Sequence, residues 1–151
     1  LTPSIELLRM ANVGLTHLPP MGGYLPLYSG TLCTTNPDIY VAGDVAGIEE
    51  ASTAMEEGRL AGTAIAAALG LLEEAEAGRQ MEEIRRRAAQ LRTGPHGEAR
   101  GAAKAELERR YVQWQNSCSA APMPLSNAPR RSAASPAAPP AHRGPSPWRR
   151  A

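Results

Sequence analysis

The residues best placed to do chemistry are Gly43 and Asp44, together with the backbone amides between Gly47 and Ser52. Glycine permits a close backbone approach, or a dihedral angle that other residues avoid. The carboxylate of Asp44 can accept two hydrogen bonds from a pair of sugar or polyol hydroxyls. If a helix begins between Gly47 and Ser52, its unpaired amides present partial positive charge to a phosphate or an electron-rich ring. An Asp that only caps this helix is the alternative interpretation.

Two elements of secondary structure are expected to position these groups. Residues 39–42 form a short apolar run, which is typical of a strand buried on both faces of a parallel sheet. Residues 50–70 combine helical spacing with small side chains, and Gly58 and Gly62 within them indicate close contact with a neighbouring element. A strand that ends in Gly-Asp before a helix places the carboxylate at the carboxyl edge of the sheet, where open α/β sheets bind ligands.

The longer segment around Asp44 resembles a known motif. Residues 34–44 (Thr-Thr-Asn-Pro-Asp-Ile-Tyr-Val-Ala-Gly-Asp) resemble the second FAD-binding motif of pyridine nucleotide-disulphide oxidoreductase-like flavoproteins, and residues 54–62 are similar to the helix that follows it. The resemblance implies that Asp44 hydrogen-bonds the ribityl chain of FAD, and that amides near Glu50, Ala51 and Ser52 face the pyrimidine edge of the flavin. The implied fold is α/β, a partial FAD-binding Rossmann-like domain consisting of a closing strand and a helix.

A narrower resemblance concerns the segment that leads into this motif. Residues 22–27 (Gly-Gly-Tyr-Leu-Pro-Leu) and 43–48 (Gly-Asp-Val-Ala-Gly-Ile) resemble the FAD subunits of heteromeric amine dehydrogenases and oxidases, such as the sarcosine oxidase alpha subunit, opine oxidase and hydrogen cyanide synthase. This implies an FAD-dependent oxidoreductase that oxidises the C–N bond of an amino acid or secondary amine and passes electrons to an acceptor or partner subunit. The family also admits NAD(P). Members often carry cysteine clusters for an iron–sulphur centre, which this chain lacks.

Two other functions remain open. One is a non-catalytic fragment that acts only as a helical interaction module, and the other is an NAD(P)H-dependent flavin reductase of the thioredoxin reductase-like class. No catalytic residue is assigned, because a flavin accepts the hydride while the protein supplies position and electrostatics. No metal ligand is assigned either, because Cys33 and Cys118 are far apart in sequence and the three histidines lie in unrelated loops.

The sequence divides into three regions. Residues 1–70 are interpreted as the carboxyl-terminal portion of an FAD/NAD(P)-binding domain, residues 71–116 as a helical hairpin extension, and residues 117–151 as a disordered tail rich in Pro, Ala and Arg. Each helix of the extension has one apolar stripe, the first made by Met81, Ile84, Ala88 and Leu91, the second by Ala103, Leu107, Tyr111 and Trp114. The arginines at 85–87 follow Glu82 and Glu83, which form i,i+4 pairs with Arg86 and Arg87, and this favours a solvated helix face over a nucleic-acid site.

Composition limits the remaining possibilities. The 151 residues carry a formal net charge of +1, which offers no support for nucleic-acid binding, and no apolar run reaches transmembrane length. Two free thiols are expected in a reducing, cytoplasmic compartment. The sequence contains no Gly-x-Gly-x-x-Gly loop, which a flavin-binding fold needs for the pyrophosphate. We therefore expect a carboxyl-terminal piece of a larger protein, with weak or absent FAD binding and a need for a partner subunit or a further domain.

Overall fold

The computed structural model describes residues 1–120 of the chain and begins with a short helix and a β-hairpin. Helix α1 (Glu6–Met10) precedes strands β1 (Leu15–Leu18) and β2 (Gly23–Pro26), which pair antiparallel with Leu15 opposite Pro26. A 3-10 turn at Pro19–Met21 joins the two strands. Strand β2 ends in a proline, Pro26. Its proline is tolerated because this sheet has only edge strands.

The buried strand predicted at residues 39–42 does not form. The segment instead lies antiparallel to residues 32–34. The Val41 amide donates to the carbonyl of Leu32 (3.0 Å), and the Thr34 amide donates to the carbonyl of Ile39 (2.9 Å). Its pairing is limited to one antiparallel bridge, between Cys33 and Tyr40. A four-residue apolar run does not by itself distinguish a buried strand from a loop that covers a core. Residues 1–120 are therefore rich in helix, with one small antiparallel sheet that is compatible with a partial α/β fold.

Helix α2 (Ala51–Ala68) confirms the helix predicted at residues 50–70. Its buried face combines small and branched side chains with two acidic residues, and consists of Thr53, Glu56, Glu57, Leu60, Ala61 and Ala64. Gly58 and Gly62 lie on the opposite, exposed face, and no atom lies within 4 Å of the position that a Cβ would take on either. The expectation that these glycines mark a close contact is therefore wrong within the described structure, because the helix buries its glutamates instead.

Helices α3 (Glu74–Leu91) and α4 (Gly94–Ala120) lie in the region interpreted as the helical extension. Helix α3 packs along α2 and buries Ala77, Ile84 and Ala88, whereas Leu91, predicted in the same stripe, is exposed. The stripe predicted on α4 is confirmed, with Ala103, Leu107 and Tyr111 buried and Trp114 packed against the core. Residues 117–120, assigned to the disordered tail, continue α4, and the rest of that predicted tail lies outside the described residues.

One hydrophobic core joins the β1–β2 hairpin to the helical extension. Its most buried large side chains are Met21, Leu25, Tyr28 and Leu107, so α4 contributes to the same core as the amino-terminal segment. The guanidinium of Arg110 on α4 also donates to the hydroxyl of Thr16 (2.8 Å) and to the carbonyl of His17 (3.1 Å) on β1. Residues 1–70 and 71–116 consequently pack together within one compact unit.

Candidate functional site

The predicted site residues Gly43 and Asp44 lie on a 3-10 turn at Gly43–Ala46, called the Asp44 turn below. Glycine is favoured at its start, where φ is +71°, and immediately after it at Gly47, where φ is +120°. A Cβ on Gly43 would lie 3.6 Å from the Cβ of Ala54, so the turn begins against α2. A Cβ on Gly47 would lie 2.5 Å from the Cε of Met21, so a side chain there would have to displace the end of the Met21 side chain.

Asp44 is exposed, and its carboxylate has no hydrogen-bond or ion-pair partner within the described part of the chain. Its carbonyl accepts the amide of Gly47 (3.1 Å), which closes the turn. The residue that precedes α2 as its N-cap is Glu50, not Asp44. The alternative interpretation, that Asp44 only caps the next helix, is therefore wrong, and its carboxylate is available to donors from outside.

The start of α2 carries the other three predicted residues. Glu50 is extended, and the first amides of α2 have neither an intrahelical partner nor a capping side chain from residues 1–120. The first turn of α2 contains no acidic residue, and Ala51 and Ser52 are exposed there. The carboxylate of Glu50 instead lies 3.3 Å from Arg100 on α4. Ser52 lines an open cavity of about 380 Å³ between α2 and α3, so this helix end is accessible.

The inner side of the Asp44 turn contacts a buried polar network that was not predicted. One carboxylate oxygen of Glu57 accepts the Gly43 amide (2.9 Å), and the other accepts the ammonium of Lys104 (2.6 Å). Lys104 also donates to the carbonyl of Ala46 (2.8 Å), which in addition accepts the hydroxyl of Tyr28 (2.7 Å). Tyr28, Glu57 and Lys104 are all buried. The turn is therefore hydrogen-bonded at both ends from inside the protein.

Arg92 and Glu49 complete the network. The guanidinium of Arg92 donates to both carboxylate oxygens of Glu49 (2.8 and 2.7 Å) and to Glu57 (3.2 Å). The ammonium of Lys104 lies 3.7 Å from Glu49. Two cations thus face two carboxylates whose side chains are at most 6% exposed. This balance is needed because an unpaired buried charge is costly.

A cavity of about 210 Å³ adjoins this network between α2, α3 and α4. Its apolar wall includes Leu32, Leu60 and Ile84, and its polar wall consists of Glu56, Glu57, Arg85, Arg92, Lys104 and Glu108. The polar wall contains equal numbers of carboxylates and cations. The cavity therefore offers no excess charge to attract an anion or a cation.

The network shifts the pKa values of its acidic members. Burial raises the pKa of Glu57, with the nearby charge of Glu49 adding to it, and the ammonium of Lys104 does not fully offset this. Burial acts on Glu49 as well, but the hydrogen bonds from Arg92 and the charge of Lys104 outweigh it and lower the pKa of Glu49 overall. Burial also raises the pKa of the Tyr28 phenol well above its usual value, so Tyr28 stays a donor to Ala46.

The network could have been suspected from the helical periodicity. Lys104 shares the apolar stripe of α4, since residues 104, 107, 111 and 114 repeat at three and four. Glu57 occupies an equivalent position on the buried face of α2, followed by Leu60 and Ala64. A charged residue in an apolar stripe requires a buried partner. The sequence could not identify the partner, because Glu57 and Lys104 are 47 residues apart.

Other kinds of site find little support. Cys33 and Cys118 are both free, as expected. Among residues 1–120 no group of three His, Cys, Asp or Glu side chains could hold a metal ion, and none of the described helices combines the length and apolar composition that a bilayer crossing needs. Comparison of the chain with known proteins finds no matching family model, no matching curated protein and no matching solved structure.

Proposed function

We propose that residues 43–52 form the ribityl and pyrimidine-edge side of a flavin site in an FAD-dependent oxidoreductase. The observation that carries this proposal is the exposed carboxylate of Asp44, which has no partner among residues 1–120 and lies on a turn that packs against α2 beside that helix's uncapped start. The ribityl chain offers hydroxyl donors that suit a carboxylate. The pyrimidine edge of a flavin offers carbonyl acceptors that suit the free amides near Glu50, Ala51 and Ser52.

The fit covers only part of the cofactor. The sequence has no glycine-rich loop for the pyrophosphate, so this chain by itself gives the adenosine diphosphate half of FAD no comparable anchor. A bound flavin would supply the hydride acceptor. The chain's own contribution is to orient the polyol chain through Asp44 and the ring edge through the first amides of α2.

The substrate and the electron acceptor are proposed from the resemblance. An amino acid or secondary amine would lose a hydride from the carbon of its C–N bond, and electrons would leave to an acceptor or a partner subunit. A cytoplasmic location and NAD(P) as a second cofactor belong to the same proposal. The thioredoxin reductase-like flavin reductase remains an alternative that uses the same residues, and none of the described residues is assigned to amine oxidation.

A titration of the isotope-labelled chain with FMN, FAD and lumiflavin, followed by NMR, tests the proposal. We expect the amides of Asp44, Ala51 and Ser52 to shift, with similar affinities for FMN and FAD because the adenosine half has no anchor. Asp44→Ala should weaken FMN binding by about 1.5–3 kcal/mol, the scale for hydrogen bonds to a charged group. Lumiflavin, which has no ribityl chain, should be unaffected by this substitution.

Asp38→Ala is the matched control, because Asp38 is another exposed aspartate of the same segment. It should leave FMN affinity unchanged. Equal effects of the two substitutions, or shifts that avoid residues 43–52, would contradict the proposed contact.

A non-catalytic helical interaction module is the second candidate. The observation that favours it is the exposed face of α2, where Met55, Gly58, Gly62 and Ile65, continued by Leu69 directly after the helix, follow one another at spacings of three and four without a charged residue in the series. Under this alternative the chain would bind no flavin, and Ile65→Lys would abolish association with a partner. Flavin-dependent shifts at Asp44 that persist in Ile65→Lys would contradict it.

A further inference from the structure

The geometry of the Asp44 turn depends on a side chain from the far end of the described chain. The turn is anchored at its start by the hydrogen bond from Gly43 to Glu57 (2.9 Å), and at its end by the carbonyl of Ala46. The ammonium of Lys104 reaches both anchors, at 2.6 Å from Glu57 and 2.8 Å from Ala46. A single cation on α4 therefore links the two ends of the turn that carries Asp44.

Burial makes this link difficult to replace. Lys104 is 7% exposed and Glu57 5% exposed, so bulk water cannot readily supply the lost hydrogen bonds. The ring of Tyr28 lies 5.6 Å from the ammonium and restricts it from another side. Arg92 holds Glu57 from the end of α3. Both helices of the extension thus contribute to the position of the turn.

We propose that Lys104 is a positioning residue for the Asp44 turn, and that the α3–α4 extension is a working part of the candidate flavin site. The role in flavin binding rests on the proposed function. The link between Lys104 and the turn rests on the hydrogen bonds alone. Lys104 lies on the inner side of the turn and need not touch the flavin. It acts by fixing the backbone from which Asp44 projects.

Two variants separate positioning from general stability. Lys104→Met replaces lysine with an unbranched side chain of similar length that has no ammonium. It leaves the network with an excess negative charge. The double variant Lys104→Met/Glu57→Gln restores the charge balance, because Glu49 and Arg92 remain paired. We expect the double variant to recover stability relative to the single variant, while the carbonyl of Ala46 still lacks its ammonium donor. Arg109→Met is the control, since Arg109 is an exposed cation of α4 paired within its own helix to Glu106.

The first readout needs no ligand. Hydrogen exchange of the Gly47 amide, which donates to the Asp44 carbonyl (3.1 Å), reports whether the turn is closed. We expect exchange at least tenfold faster than in the wild-type chain in both Lys104 variants, relative to amides in the middle of α2, and unchanged in Arg109→Met. Unchanged Gly47 exchange in the double variant would overturn the proposal, whatever the flavin result.

The second readout is FMN affinity. We expect FMN binding to weaken at least fivefold in both Lys104 variants, with lumiflavin affinity unaltered. Faster exchange at Gly47 combined with wild-type FMN affinity would overturn the claim that turn geometry controls the site. Faster exchange in a chain whose wild-type form binds no flavin would support the link to Lys104 and contradict the proposed function, so the two failures can be distinguished.

Discussion

Buried charges behind the Asp44 turn stabilise the chain only as a set. Glu49 and Glu57 come from the loop before α2 and from α2 itself, and their counterions Arg92 and Lys104 come from the end of α3 and from α4. Removing one member leaves the remaining buried charges unbalanced, and such a loss costs more than the pair contributes over an apolar replacement. Substitution of any single member is therefore expected to lower the free energy of unfolding strongly.

Arg92→Met should destabilise the chain by about 3 kcal/mol at neutral pH, because it leaves two buried carboxylates with one cation. Arg92 helps to lower the pKa of Glu49 below its usual 4.5, so this contribution is present above pH 4.5 and is lost as the pH falls through the lowered value. Glu57, whose pKa is raised, acts in the opposite sense, and its contribution falls as the pH rises through its folded-state pKa. Urea unfolding between pH 3.5 and 8 measures the difference in unfolding free energy between Arg92→Met and the wild-type chain.

Arg86→Met is the control for this experiment. Its side chain is 66% exposed and pairs with Glu83 on the same helix, so its loss should cost no more than about 0.5 kcal/mol. An Arg92→Met variant as stable as Arg86→Met at pH 7 would show that the network is not stabilising.

Gly47→Ala should destabilise the chain by about 1–3 kcal/mol. The positive φ of Gly47 is rarely adopted by other residues, and the added methyl would collide with Met21. Thermal unfolding of this variant beside Gly78→Ala, a helical position with nothing within 4 Å of a new Cβ, measures the difference. Equal melting temperatures for the two variants would contradict this account of the turn.

At the scale of elements, α2 has an unusual distribution of polarity. Its glutamates at 56 and 57 are buried, while Met55 and Leu69 are among the exposed large apolar residues. The sequence predicted α2 and α3 well, because long periodic segments are dominated by local spacing. It did not predict which face of α2 is buried, because that depends on cations from α3 and α4. The prediction of a buried strand at residues 39–42 was wrong for a related reason, since this segment pairs with residues 32 and 34.

Gly58→Ala should stabilise the chain by about 1 kcal/mol. The residue is exposed within α2 and a new Cβ would meet nothing within 4 Å, so only the helix propensity changes. Thermal unfolding gives the sign directly. A lower melting temperature, or a new loss of solubility, would restore the discarded expectation that another element packs closely on this glycine.

At the scale of the whole molecule, α4 holds the described unit together. Leu107 is fully buried and joins Met21, Leu25 and Tyr28 in the shared core. The two apolar stripes of the extension could be predicted from the sequence. Their docking onto the amino-terminal hairpin could not, because pairs such as Arg110 with Thr16 are 94 residues apart and leave no local pattern.

Leu107→Ala should cost about 2–5 kcal/mol, the usual range for a large cavity in a core. The loss should appear in both halves of the described unit at once, because they share this core. Urea unfolding in a Trp148→Phe background, followed by Trp114 fluorescence and by circular dichroism, should give coincident transitions at a lower midpoint. Separate transitions would show that the surroundings of Trp114 on α4 unfold independently of the other helices.

The long sequence separations in the network also bear on biosynthesis. Glu49 and Glu57 leave the ribosome well before Arg92 and Lys104, which lie 43 and 47 residues further along the chain. Until α4 has emerged, the Asp44 turn has no ammonium at its far end, and Glu49 and Glu57 share the single cation of Arg92. Non-local contacts of this kind form late in folding. We therefore expect the nascent chain to keep the Asp44 turn open during synthesis and to close it only after α4 is complete.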